Sequence, residues 1–100
     1  MTCKKWDEML DSQGFFVGHY WAVLWTPNGN YKILVNRKMR GNRAKNISVK
    51  VFQRKEETLQ GGVTNVYDEV FKCYNIAAEA IEEVLEDYHA ADTAINRMEN

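Results

Sequence analysis

The chain has one proline, two cysteines and no apolar run approaching about 18 residues. Without such a run there is no candidate membrane-spanning helix, and the N-terminus Met1-Thr2-Cys3-Lys4-Lys5-Trp6-Asp7-Glu8 has no hydrophobic stretch behind its lysines to serve as a secretory signal. The expectation is a soluble, intracellular, cytoplasmic protein. Cys3 and Cys73 form no Cys-x-x-Cys pair and read as two thiols of a reducing compartment. His19 and His89 stand at metal-ligand spacing from neither a cysteine nor each other, so no metal site is expected. Gly61-Gly62 lacks the lysine and serine of a phosphate-binding loop, so no nucleotide cofactor is expected either. The adjacent pairs Glu56-Glu57 and Glu82-Glu83 point apart, which suits solvation better than acid–base work. These absences together predict a non-enzyme.

What is present is charge in blocks. Residues 31–55 carry nine basic side chains and no acidic one, whereas residues 56–100 carry eleven acidic and two basic, so a net charge of −1 conceals two opposed blocks. An apolar fraction of 45% with twelve aromatics is enough to offset the entropy of ordering the chain, and 100 residues are the size of one domain, 1–100, with one core.

The apolar spacing of Trp6, Met9 and Leu10 predicts a short helix over Cys3–Ser12, ended by Gly14. The aromatic and β-branched run from Phe15 to Trp25 predicts a first strand. Thr26-Pro27-Asn28-Gly29 fits a type I turn with Gly29 in the left-handed region, leading to a second strand near Asn30. A bulged hairpin of this kind puts Trp21, Val23 and Trp25 beside Val35, Ile33 and Tyr31 on the inward face. A two-residue Asn28-Gly29 turn shifts the register and places the tryptophans outside. The bulged form is the expectation. Ile47 to Arg54 alternates as a third strand, with Ile47, Val49 and Val51 inward. Arg37 to Asn46 reads as an exposed loop. From Val63 to Tyr88 the residues Val63, Val66, Tyr67, Val70, Phe71, Tyr74, Ala77, Ile81, Val84, Leu85 and Tyr88 step by three and four, which predicts one long helix capped by Asn65 and Asp68. The expected fold is α+β: a short N-terminal helix, a three-stranded antiparallel sheet, and a long C-terminal amphipathic helix packed on one sheet face.

Three surfaces are candidates for binding. The even sheet face and the loop hold Lys32, Arg37, Lys38, Arg40, Arg43, Lys45, Lys50 and Arg54, which suit phosphates. Among them Phe16, Tyr20 and Phe52 suit base stacking or a partner's pocket. The outer face of the long helix holds Glu79, Glu82, Glu83, Glu86 and Asp87, a row that is either plain solvation or an imitation of phosphates towards a basic groove.

The order helix, three strands, helix resembles the double-stranded-RNA-binding domain. That family begins its last helix with lysines; here Val63-Thr64-Asn65-Val66-Tyr67-Asp68-Glu69 is acidic, which sets the chain apart. Tyr74-Asn75-Ile76-Ala77-Ala78 and Asn28-Gly29 are similar to the helix aromatic, paired alanines and hairpin turn of the plant ethylene-response-factor type of DNA-binding domain, without its Arg and Trp pattern. In type, a small aromatic-rich chain with the acidic Glu79–Asp87 face and the basic Arg37–Lys45 segment resembles the phage-encoded inhibitors of bacterial defence, including anti-CRISPR proteins. That resemblance implies docking on a protein or ribonucleoprotein complex that handles nucleic acid, without a cofactor and without a membrane. The alternative is a module that binds DNA or RNA directly.

Overall fold

The computed structural model describes residues 1–40, 43–54 and 63–99; for residue 40, residues 43–45 and residue 99 it describes the backbone alone. Gly41 and Asn42 of the expected Arg37–Asn46 loop and residues 55–62, with the Gly61-Gly62 and Glu56-Glu57 pairs, lie outside the described residues, as do the side chains of Arg40, Arg43 and Lys45.

The elements are α1 (Cys3–Ser12), β1 (Phe16–Val17), β2 (Trp21–Trp25), β3 (Tyr31–Arg40), β4 (Arg43–Arg54), β5 (Val63–Phe71) and α2 (Tyr74–Glu99). The strands form one five-stranded antiparallel meander in chain order, so the α+β class holds but the sheet has five strands where three were expected. One added strand comes from the aromatic run. It folds back at Gly18-His19-Tyr20, where the Gly18 N–H donates to the Trp21 carbonyl at 2.7 Å and pairs Phe16 with Val23. A side chain at Gly18 would crowd the turn, because a Cβ would fall 2.5 Å from Cε2 of the Trp21 indole and the ring would have to shift.

The other added strand corrects the single helix expected from Val63 to Tyr88. Val63–Phe71 pairs antiparallel with β4, and the helix starts only at Tyr74. A register shift between Val51 and Phe52 leaves Val66 as the extra residue between Asn65, opposite Phe52, and Tyr67, opposite Val51. The helix-like steps of three and four arise because apolar residues occupy both faces of the strand, Val63 and Val70 exposed and Tyr67 and Phe71 packed against the core, with Val66 at the bulge. Asn65 and Asp68 are therefore strand residues and cap nothing. The segment expected as an exposed loop, Arg37 to Asn46, is largely strand as well: Arg37 pairs with Ile47, Lys38 with Asn46 and Arg40 with Arg43.

The third correction is the register of the β2–β3 hairpin. Trp25 pairs with Lys32, Leu24 with Ile33, Val23 with Leu34 and Ala22 with Val35. The turn itself is as read: the Gly29 N–H donates to the Thr26 carbonyl at 2.8 Å and Gly29 has φ 76°. The next pair out is Thr26 with Tyr31, so four residues separate the strands and the even residues of β2 turn inward. Ala22, Leu24 and Thr26 are buried beside Tyr31, Ile33 and Val35; Trp21 and Trp25 are exposed.

Both helices lie on this inner face. The core joins Trp6 and Leu10 of α1, Phe15, the inward residues of β2, β3 and β4, and Ala77, Ile81, Val84 and Leu85 of α2 in one cluster. Trp6 meets Tyr74 with ring centroids 4.8 Å apart, and Tyr31 meets Tyr88 at 5.0 Å. The Thr2 side chain caps α1 by accepting the Lys5 N–H at 3.2 Å. No disulfide joins Cys3 to Cys73. No helix among the described residues is long and apolar enough to cross a membrane.

Candidate partner-binding face

Among the described residues no element covers the outer face of the sheet, and the strand registers arrange it in rows. One row runs Trp25, Lys32, Phe52, Asn65; the next Phe16, Val23, Leu34, Lys50, Asp68; the third Trp21, Asn36, Ser48, Val70. Five large apolar side chains stand out. Phe16 is 69% exposed, Val70 58%, Val63 57%, Trp25 53% and Trp21 43%, on a domain whose opposite sheet face is filled by core. Phe16 stacks on Trp21 with centroids 5.7 Å apart and planes inclined by 26°. Lys32 Nζ lies 5.7 Å from the ring centres of both Trp25 and Phe52, a cation held between two π-faces.

The face thus has two aromatic groups, Phe16 with Trp21 and Trp25 with Phe52. Trp21 and Trp25 are four residues apart on one strand, which separates them by roughly 13 Å. Lys32, Lys38, Lys50 and Arg54 occupy even positions on the same face, against the carboxylate of Asp68 opposite Lys50. Lys38 and Arg54 are exposed; Lys32, Lys50 and Phe52 are half-buried by their neighbours.

Of the residues singled out from sequence, Phe16, Phe52, Lys32, Lys38, Lys50 and Arg54 come together here. Tyr20 stands apart, in the β1–β2 turn, exposed and edge-on to His19 at 4.2 Å. Arg37 is drawn into the fold. Its side chain is only 9% exposed, and its guanidinium reaches Asp7 at 3.3 Å, the His19 carbonyl at 3.0 Å and the Tyr74 hydroxyl at 3.4 Å. Glu79, Glu82, Glu83, Glu86 and Asp87 are all exposed on α2, on the far layer from the open sheet face. At the rim between the layers, burial first and then Glu69 and Glu83 hold the Tyr67 phenol above its ordinary pKa.

Trp21 and Trp25 are the members that sequence reading placed in the core. Asn28-Gly29 carried the signal that could have found them, since pairs symmetric about that dipeptide give the observed register. Among the described residues no group of three or more His, Cys, Asp or Glu is placed to hold a metal ion. The chain matches no known family model, no curated protein and no solved structure.

Proposed function

We propose that the chain is a non-enzymatic binding protein that docks on a protein or ribonucleoprotein complex handling nucleic acid, in the manner of the small phage-encoded inhibitors it resembles in type. The open sheet face is its docking surface. The observation that carries this reading is the exposure of Phe16, Trp21 and Trp25 on one face with Lys32 held between Trp25 and Phe52. Exposed tryptophans grouped on one rigid face, with cations on the two strands beside them, have the composition of an interaction surface: aromatic anchors flanked by polar groups. The acidic stripe Glu79 to Asp87 lies on the other layer, so that stripe and the basic sheet face act as separate surfaces.

Affinity capture from a bacterial lysate, with the retained complex identified and then titrated in purified form, tests the reading. The wild type retains a nucleic-acid-handling complex, and Trp25→Ala loses it while circular dichroism and unfolding midpoint stay near wild type. The quadruple variant Glu79→Gln, Glu82→Gln, Glu83→Gln, Glu86→Gln keeps the helix, because Gln has similar helix propensity, and reports whether the acidic layer contributes. Retention of the complex by both variants at wild-type affinity overturns the assignment of the docking surface.

A further inference from the structure

We infer that the open sheet face takes single-stranded nucleic acid, with unpaired bases stacking on Trp25 with Phe52 and on Phe16 with Trp21 while Lys32, Lys50 and Arg54 meet phosphates. This rests on the docking reading above and names the component of such a complex that the face meets.

The described part of the face carries Lys32, Lys38, Lys50 and Arg54 against Asp68 alone, within a chain whose net charge is −1. An anionic partner is complementary to that local excess. A second copy of the chain, laid face to face, brings lysine against lysine and is disfavoured.

Lysines alone suit any polyanion, duplex included, because a duplex presents its phosphates and hides its base faces. Aromatic faces add affinity only for bases that are unstacked, each worth about 5- to 150-fold when the ring is removed. Phe16, Trp21 and Trp25 offer such rings on strands fixed by the ladder, so their positions cost little ordering on binding. Two ring groups lie roughly 13 Å apart along β2, with Lys32 beside one of them on β3 and Lys50 on β4, two strands away in the row between them, so sites for stacking and for charge are interspersed across the face as base and phosphate are along a flexible strand.

The test is a titration of the full chain with a labelled single-stranded oligonucleotide of about 16 nucleotides, as DNA and as RNA, against the duplex of the same sequence. Polyglutamate serves as an anionic polymer with no bases. Expected is binding of the single strand in preference to duplex and polyglutamate, with quenching of tryptophan fluorescence. If three or four phosphates are met, affinity falls by about 20- to 50-fold between about 50 and 200 mM salt. Trp25→Ala weakens binding by about 5- to 150-fold, and Phe16→Ala, on the other ring group, does the same with unchanged circular dichroism.

Single-strand affinity no greater than that for duplex or polyglutamate, or unchanged in both variants, overturns the inference. Capture after nuclease digestion separates this failure from failure of the docking reading. A complex still retained by wild type and lost in Trp25→Ala shows that the face meets protein; the inference then falls and the docking reading stands.

Discussion

The Asp92 carboxylate on α2 accepts the backbone N–H of Asn28, 64 positions earlier in the chain, at 2.8 Å. It also accepts the backbone N–H of Asn30 at 3.1 Å and the Asn30 side-chain amide at 2.9 Å, and it is fully buried. The β2–β3 turn has N–H groups that no ladder can satisfy, and a carboxylate from the helix layer satisfies two of them. This contact fixes where the helix lies on the sheet. By holding the turn it also supports the register that leaves Trp21 and Trp25 on the open face.

Asp92→Asn is expected to destabilise the fold by about 1.5–3 kcal/mol, because the amide replaces one acceptor oxygen with a donor aimed at donors. Burial alone would raise the Asp92 pKa, but the hydrogen bonds from Asn28, Thr26 and Asn30 outweigh it and hold the carboxyl below its ordinary value of 3.8. A group that binds protons less readily when folded contributes its full stability above the unfolded value. That contribution is lost as pH falls through the lower, folded value. Urea unfolding midpoints measured from pH 7 down to about 3 should fall less steeply for Asp92→Asn than for wild type. Parallel curves would contradict the role given to Asp92.

Val70 and Ile81 separate the strand reading of residues 63–71 from a helical one. Ile81 is fully buried whereas Val70 is 58% exposed on the open face. Ile81→Ala should cost about 2–5 kcal/mol, and Val70→Ala should stay within about 0.5 kcal/mol of wild type. Equal, large losses at both positions would mean that Val70 packs in the core.

Arg37 and Lys38 are neighbours with opposite expected behaviour. Arg37→Met removes the donors to the His19 carbonyl and the Tyr74 hydroxyl and should cost about 1–3 kcal/mol. The pair with Asp7 adds little, since Asp7 is 40% exposed. Lys38→Met, at an exposed position, should change stability by no more than about 0.5 kcal/mol. Denaturant midpoints of the two variants decide it, and a stable Arg37→Met protein would release Arg37 for a partner.

Gly18 and Trp21 should be energetically coupled. A methyl group at Gly18 meets the Trp21 indole at 2.5–2.8 Å, so Gly18→Ala pushes the ring aside and away from Phe16. The expected cost is about 1–3 kcal/mol, with a shift in tryptophan emission. In a Trp21→Ala background the same change should cost far less, giving a coupling energy of about 0.5 kcal/mol or more in a double-mutant cycle. Strict additivity would place the indole elsewhere.

Local chemistry made several elements legible. Trp6, Met9 and Leu10 announce α1 by their spacing, and Gly14 at φ 97° ends it as its lack of a side chain allows. The alternation of Ile47, Val49 and Val51 marks the inner face of β4, and Pro27 with Gly29 marks the turn. The Glu79–Asp87 stripe is exposed as its helical phase requires. These features depend on residues a few positions apart, whose interactions one short window of sequence contains. The register of β2 and the conformation of residues 63–71 do not. Both hairpin registers suit Thr26 to Asn30 locally, and the difference between them lies partly with Asp92, 62 positions beyond Asn30. Val63–Phe71 has the apolar spacing of a helix face, and pairing with β4 across a bulge at Val66 makes it a strand. Backbone pairing to the neighbouring strand made residues 63–71 a strand, and the register of β2, supported by a carboxylate from another layer, set which tryptophans face out.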